Sequence, residues 1–390
     1  MNTGIRWPLG LSTDTFLREY WQKKPLLIRN ALNGFREAVT PDELAGLACE
    51  HGVESRLICK RGRKRWTVDY GPFDEGRFST LPEKQWTLLV TEVNRHVPQA
   101  ATLLDRFSFI PNWRVDDVMV SYAVPGGGVG PHVDSYDVFL LQGRGQRRWR
   151  YHLNRTSDVT FVNGLALRIL SHFEPEADEV LGPGDMLYLP PGFAHDGVAV
   201  TECTTYSVGF RAPNRGELTA AFVRSFEDDR SLTDLYTDRD LREHDEPGEL
   251  TEAARVRVRA MIRRIDLSDA AIDAAFAQFA SMLKPGHVLD PPRKRVAGTE
   301  VKERLQKGVS LARSEECRFV FFPSGKRTIN FYYGSNQERL SGAEARLARA
   351  VCRQRRLNAQ TLGARDALSK EGLAAIARWI NAGALSFVGR

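Results

Sequence analysis

The chain has 390 residues, 42% hydrophobic and 27% charged, with a net charge of +6 at pH 7. These values belong to a globular chain long enough for two or three domains, and no apolar stretch approaches the roughly 20 residues a membrane span needs. The five cysteines are odd in number and never spaced as C-x-x-C, which argues against a disulfide framework or a cysteine zinc site, and the amino terminus lacks a secretory pattern, so a cytoplasmic address is expected.

In the first hundred residues, Thr13-Asp14-Thr15 predicts a helix cap before FLREYWQ. Pro25–Ile28 predicts a short buried strand, and Thr40-Pro41-Asp42-Glu43 a second helix start, where a cap, a first-turn proline and acidic residues coincide. From Asp117 to Phe210 the character changes to short apolar runs: DVMVSYAV, DVFLLQG, RRWRYHL, LALRIL, DMLYLP and CTTYSVGF. Each has strand length and strand composition, and their clustering predicts a β-sandwich or barrel. After Pro213 the pattern turns helical and acidic, and residues 249–283 suit one or two amphipathic helices. Past Pro285-Gly286 and Pro291-Pro292, RFVFFPSGKRTINFYYG predicts a hairpin around Pro323-Ser324-Gly325. Helices rich in alanine, leucine and arginine and a terminal ALSFV strand follow, an order compatible with a winged helix. The expectation is an α+β chain with a β-rich domain over 1–212, a helical domain over 213–290 and a basic domain over 291–390. The last holds 20 Lys/Arg against 8 Asp/Glu, a net +12 against −6 for the remainder. That split fits nucleic-acid contact through the carboxy-terminal domain or a solvated arginine-rich surface.

The chemistry concentrates in SYAVPGGGVGPHVDSYDVFLLQGRGQRRWRYHL. On an extended backbone His132 and Asp134 project to one side. His195 follows in YLPPGFAHDGV, beyond a strand and a proline-glycine turn. Two imidazoles and one carboxylate form the facial set of non-heme Fe(II) oxygenases, which leaves three positions for cosubstrate and oxygen. The other six histidines, His51, His96, His152, His172, His244 and His287, lack this setting. A 2-oxoglutarate cosubstrate needs a cation for its distal carboxylate, and Arg147 is the candidate. Alternation puts Arg147, Trp149 and Tyr151 on one face of their strand, with Arg148 and Arg150 on the other. Ser121 is a candidate hydroxyl for the same pocket.

GGGVGPHVDSYDVFLLQGRGQRRWR, joined to LPPGFAHDG, resembles the JmjC-type ribosomal oxygenases, and most closely the bacterial YcfD-like (RoxA) arginine hydroxylases. The resemblance covers nearly the whole chain. It implies a double-stranded β-helix (jelly-roll, cupin/JmjC) catalytic core over 1–212, a helical dimerisation region over 213–290 and a carboxy-terminal winged helix over 291–390. It implies His132, Asp134 and His195 as iron ligands, catalytic with the metal, Arg147 as the partner of 2-oxoglutarate, and O2 as the second cosubstrate. The implied reaction is 3-hydroxylation of an arginine in large-subunit ribosomal protein sixteen by a homodimer. Tyr136, Asp137 and Asp196, adjacent to the metal motifs, are the candidates for contact with that cationic side chain. The alternatives are a histidine hydroxylase or lysine demethylase of the same class, a different cupin, and a non-catalytic winged-helix protein that binds nucleic acid.

Overall fold

The computed structural model describes residues 4–62, 65–157, 159–165, 167–226, 232–242 and 248–388. The amino-terminal helix spans Thr13–Glu19, and its cap is Ser12, whose hydroxyl accepts from the Thr15 N–H; the sequence had placed the cap one residue or more later. Helix Pro41–Cys49 begins as expected, with Thr40 and Glu43 closing a reciprocal capping box.

Twelve strands build the first unit: β1 Leu26–Ile28, β2 Ser55–Arg61, β3 Arg65–Tyr70, β4 Trp86–Val90, β5 Val115–Ala123, β6 His132–Val133, β7 Asp137–Gln142, β8 Arg147–Tyr151, β9 Ala177–Leu181, β10 Met186–Leu189, β11 Ala194–Ala199 and β12 Cys203–Phe210. They form an eight-stranded sheet in the order β1-β10-β7-β12-β5-β4-β2-β3 and a four-stranded sheet in the order β6-β11-β8-β9. Alternation along β7 shows how the sheets stack. Val138 and Leu140 pack with Leu187, Leu189, Trp149 and Tyr151 between the sheets. Phe139 and Leu141 pack outward with Phe16, Tyr188, Tyr206 and Val208 beneath the amino-terminal helices. Because the large sheet is covered on both faces, β7, β10 and β12 are buried at every position and read as continuous apolar runs.

One expected strand is absent. Within LALRIL the described residues make only an isolated bridge, Leu170 to Phe161, with Val162 N donating to Ile169 O and Leu170 N to Pro131 O, too few paired residues to make a strand. Between residues 117 and 210 three short strands, β6, β9 and β11, escaped the pattern. In β9 the alternation is ADEVL with only Leu181 fully buried, and β11 is AHDGVA, where histidine, aspartate and glycine mask the strand signal.

Two helices, Glu252–Ile262 and Asp269–Ser281, occupy the segment expected to hold one or two. The carboxy-terminal unit carries β13 Ser310–Arg313, β14 Phe319–Pro323, β15 Thr328–Tyr333, β16 Asn336–Ser341, β17 Arg356–Leu357 and β18 Leu385–Val388. Sheets β17-β13-β18 and β14-β15-β16 share a core of Leu311, Phe331, Leu347, Ile376 and Trp379 with helices Gly298–Gln306, Gly342–Arg353 and Lys370–Asn381. Helix Asp269–Ser281 packs on β14 and β15 and on helix Arg215–Arg224, joining the two units. Among the described residues no helix is long and apolar enough to cross a membrane.

Candidate metal centre and substrate pocket

His132 and His195 face each other across the β6–β11 pairing, in register. Their rings lie 4.2 Å apart, and Asp134 approaches both, Oδ1 at 3.8 Å from His132 Nε2 and Oδ2 at 3.6 Å from His195 Nε2. Each Nδ1 sits against a backbone carbonyl, Gly130 O at 2.9 Å and Phe193 O at 3.0 Å. Donation to those carbonyls places the ring proton on Nδ1 and leaves both Nε2 lone pairs facing Asp134. Burial, and then the neighbouring His132, lower the His195 pKa to about 4 against the opposing pull of Asp134. The ring is therefore neutral at neutral pH, as a metal ligand must be. The donor atoms of the three residues lie within 4.8 Å of one another, the one such cluster of ligand-type side chains among the described residues. Gly130, with φ of 83°, takes the left-handed turn that brings its carbonyl under His132.

On β8, burial alternates as expected, with Arg147, Trp149 and Tyr151 inward and Arg148 exposed. Arg147 is 5% exposed. Its Nη1 meets Ser121 Oγ at 3.3 Å, while Nε and Nη2 are buried without a hydrogen-bond partner among the described residues. A buried, half-unsatisfied guanidinium is costly in an empty protein and marks a place for an anion. Arg147 pairs in register with Ala199, Trp149 with Gly197 and Tyr151 with His195. The metal cluster and the cation therefore lie four residues, roughly 13 Å, apart along one ladder. Trp149 stands between them, 6.0 Å from His195 and 5.8 Å from the Arg147 guanidinium, over the bare backbone of Gly197.

Of the three residues expected to contact substrate, the structure brings one to the cavity. Tyr136 lies beside Asp134, and burial together with that carboxylate raises its pKa well above the usual tyrosine value. Asp137 is fully buried away from the cavity, and Gln22 Nε2, Arg114 Nη2 and Tyr188 Oη all donate to it at 2.6–2.9 Å. Asp196 is 3% exposed and is paired with Arg150 on the opposite side of β11 from His195. Neither carboxylate is available to an incoming guanidinium, because alternation along β7 and β11 turns each away from its site neighbour.

The available acid is Asp117. Asp117, Met119 and Ser121 alternate along β5, Ser207 and Thr205 face them from β12, and Ser121 meets Arg147. A cavity of about 420 Å³ is lined by Asp116, Asp117, Met119, Tyr136, Ser207 and Gly209. It adjoins a larger one, about 960 Å³, which Asp116 and Tyr136 share with Asp134. A β-carbon on Gly209 would stand 3.4 Å from Asp117 Oδ1 and 3.9 Å from the Tyr136 ring, so the missing side chain opens a slot between an acid and an aromatic face. Burial, with Asp116 beside it, raises the Asp117 pKa to about 6 against the counter-pull of Lys284. A signal was present in the sequence, since two-residue alternation from Ser121 along the same strand reaches Met119 and Asp117.

A ligand cluster on the wall and a buried arginine further along the same interior face are the parts a 2-oxoglutarate oxygenase of the cupin class requires. Residues 102–218 match the JmjC domain family and residues 263–386 match the ROXA-like winged helix. The chain is 35% identical, over 99% of its length and 100% of the relative's, to the ribosomal protein uL16 3-hydroxylase of Escherichia coli K12. It superimposes on the X-ray structure of E. coli YcfD with a TM-score of 0.82 at 34% identity, covering 98% of this chain and 100% of that one. A structure of YcfD, a ribosomal oxygenase, in complex with cobalt and 2-oxoglutarate matches with a TM-score of 0.79 at 34% identity over the same shares. The chain belongs to the ribosomal oxygenase family.

Proposed function

We propose that this chain is an Fe(II)- and 2-oxoglutarate-dependent hydroxylase that oxidises the 3-position of an arginine side chain in ribosomal protein uL16. The observation that carries the reading is the buried Arg147 guanidinium, two of whose nitrogens await an acceptor on the face that holds the ligand cluster. His132, Asp134 and His195 suit Fe(II), a borderline ion served by imidazole and carboxylate. Arg147, with Ser121 beside it, anchors the distal carboxylate of 2-oxoglutarate. Iron and 2-oxoglutarate, when bound, supply the oxidising chemistry that inserts one atom of O2 into a C–H bond.

The chain's own residues do the rest. The two backbone carbonyls orient the imidazoles, Trp149 lines the wall along which the cosubstrate reaches from ligand cluster to cation, and Asp134 holds Tyr136 at the mouth. A substrate arginine enters between Asp117, which takes the guanidinium charge, and the Tyr136 ring, which stacks on it. Oxidation at the 3-position requires that its β-carbon, several bonds back from the guanidinium, sit on the side toward Asp134. The two charges at the ends of the interior face sort the reactants: the acidic mouth takes the cationic side chain and the cationic end takes the dicarboxylate.

The domain limits of 1–212, 213–290 and 291–390 are retained as functional divisions, with the middle one a dimerisation region. In support, Val256, Val258, Ile262, Ile272 and Phe276 are 38–62% exposed in the single chain, more apolar surface than a solvated helix pair needs. A substrate on the ribosome places the enzyme in the cytoplasm.

Incubation with Fe(II), 2-oxoglutarate and matched uL16-derived arginine, lysine and histidine peptides tests the reading by mass spectrometry. One added oxygen on the arginine peptide alone is expected. Equal oxidation of all three, or formaldehyde from a methylated lysine peptide, would overturn it.

A further inference from the structure

The arginine slot is closed on one side by residues far along the chain. Lys284 and His287, in the turn after helix Asp269–Ser281, line the same cavity as Asp117 and Tyr136. Lys284 Nζ lies 2.8 Å from Glu92 Oε1 and 2.9 Å from Asp116 Oδ1. His287, a histidine whose sequence context assigned it no role, stands between two carboxylates, Nε2 at 3.0 Å from Glu92 and Nδ1 at 2.9 Å from Glu316. Arg95 spans the same two acids at 3.0 and 2.8 Å. Glu316 belongs to the carboxy-terminal unit, between β13 and β14. Close by, Arg318 donates to the Val115 carbonyl at 2.7 Å, at the start of the strand that carries Asp117.

Glu92 is the hub. Its φ of 55° is left-handed, an uncommon conformation for a residue with a side chain, and it persists where surrounding contacts over-determine it. The Glu92 side chain meets Arg95, Lys284 and His287, and its backbone N–H donates to Asp117 Oδ2 at 2.9 Å. The residue that Lys284 and His287 grip, with Glu316 of the carboxy-terminal unit behind His287 and Arg95, is thus the one that fixes an oxygen of the slot's acid. Lys284 also occupies Asp116, leaving Asp117 as the carboxylate facing Tyr136 across Gly209.

We propose that Lys284 and His287 are positioning residues for the substrate arginine: through Glu92 they fix Asp117, and Glu316 of the winged-helix unit holds His287 and Arg95 against Glu92, so that unit buttresses the substrate site instead of being an independent appendage. The inference rests on the slot being the arginine site.

The test uses the full chain. Glu316→Gln lies outside the slot and weakens only the grip on His287 and Arg95. It is expected to raise KM for the arginine peptide by about three- to tenfold, the scale of one charge-assisted contact, with kcat and peptide-free 2-oxoglutarate turnover unchanged. Lys284→Met is expected to raise the same KM about tenfold or more, and Lys284→Arg to restore it. Hydrogen exchange reads the clamp without any substrate, and the Glu92 amide is expected to exchange faster in Glu316→Gln and His287→Ala than in the parent. An unchanged KM together with unchanged Glu92 exchange would overturn the inference. So would a proportional fall of kcat, peptide-free turnover and thermal stability, which marks a merely structural interface. If the parent does not oxidise the arginine peptide, the functional reading fails on its own, and Glu92 exchange then decides the clamp: faster exchange supports it and unchanged exchange defeats it.

Discussion

Arg147 Nη1 approaches Ser121 Oγ to 3.3 Å across the interior of the barrel, and that hydroxyl is the guanidinium's one hydrogen-bond partner among the described residues. The two residues are 26 positions apart in the chain and on different sheets. Changing Arg147 to methionine keeps most of the apolar stem and removes the fork. The 2-oxoglutarate requirement should rise about 10- to 150-fold, corresponding to roughly 1.5–3 kcal/mol for a charge-assisted bond. Ser121→Ala removes a long neutral contact and should cost about 1 kcal/mol at most. Steady-state titration of 2-oxoglutarate checks both.

Asp134→Ala deletes the carboxylate that faces both Nε2 atoms. Turnover of 2-oxoglutarate should fall at least about 100-fold while thermal unfolding stays near that of the parent, because Asp134 is a partly exposed residue outside the hydrophobic core. Isothermal titration with Fe(II) or Co(II) should show the matching loss of affinity.

Asp117 supplies a pH dependence whose sign follows from its raised pKa of about 6. Below that value the carboxyl is protonated in the free protein and cannot pair with a guanidinium, so kcat/KM for the arginine peptide should fall as pH drops through about 6. Peptide-free 2-oxoglutarate turnover, which does not use Asp117, should not show the Asp117 step. An Asp117→Asn variant should lose the step and show a peptide KM raised about tenfold or more at neutral pH.

Gly197 has no room for a side chain. A β-carbon there would stand 2.5–2.8 Å from three carbons of the Trp149 ring. Gly197→Ala should therefore displace Trp149 from beside His195, costing about 1–3 kcal/mol of stability and weakening metal binding, which calorimetry and metal titration read separately. Gly209→Ala is the milder counterpart. Its β-carbon fits at ordinary contact distances, so stability should hold while the arginine peptide KM rises.

The exposed apolar positions of residues 213–290 should be covered by a second copy of the chain. Light scattering at micromolar concentration should report twice the monomer mass. A Val258→Glu and Ile262→Glu double variant should return the monomer.

How much of this was legible follows from what each element depends on. The H-x-D pair, the later histidine after its proline-glycine turn and the inward arginine of RRWRY are local patterns, fixed by residue type and by the two-residue period of a strand, and they land on one barrel wall as the sequence implied. The barrel, the amino-terminal capping box and the terminal hairpin were legible for the same reason, because they are set by spacing, turn chemistry and apolar alternation. Strand β11 was not, because three of its six residues are histidine, aspartate and glycine, chosen for ligation, for the Arg150 pair and for the closeness of Trp149, and not for strand propensity.

The proposed ligand set and the class of chemistry were thus legible in the sequence, since the H-x-D spacing and the proline-glycine turn before His195 are local features. Which carboxylate faces the cavity was decided by tertiary structure. Asp137 and Asp196 adjoin the metal motifs in sequence but turn to the opposite side and are paired with Arg114 and Arg150. Asp117, 17 positions before Asp134 by number, reaches the slot because β5 and β12 lie side by side and because Glu92 and Lys284, from distant segments, converge on it. Proximity across strands and between folding units is a property of packing, and no local period records it.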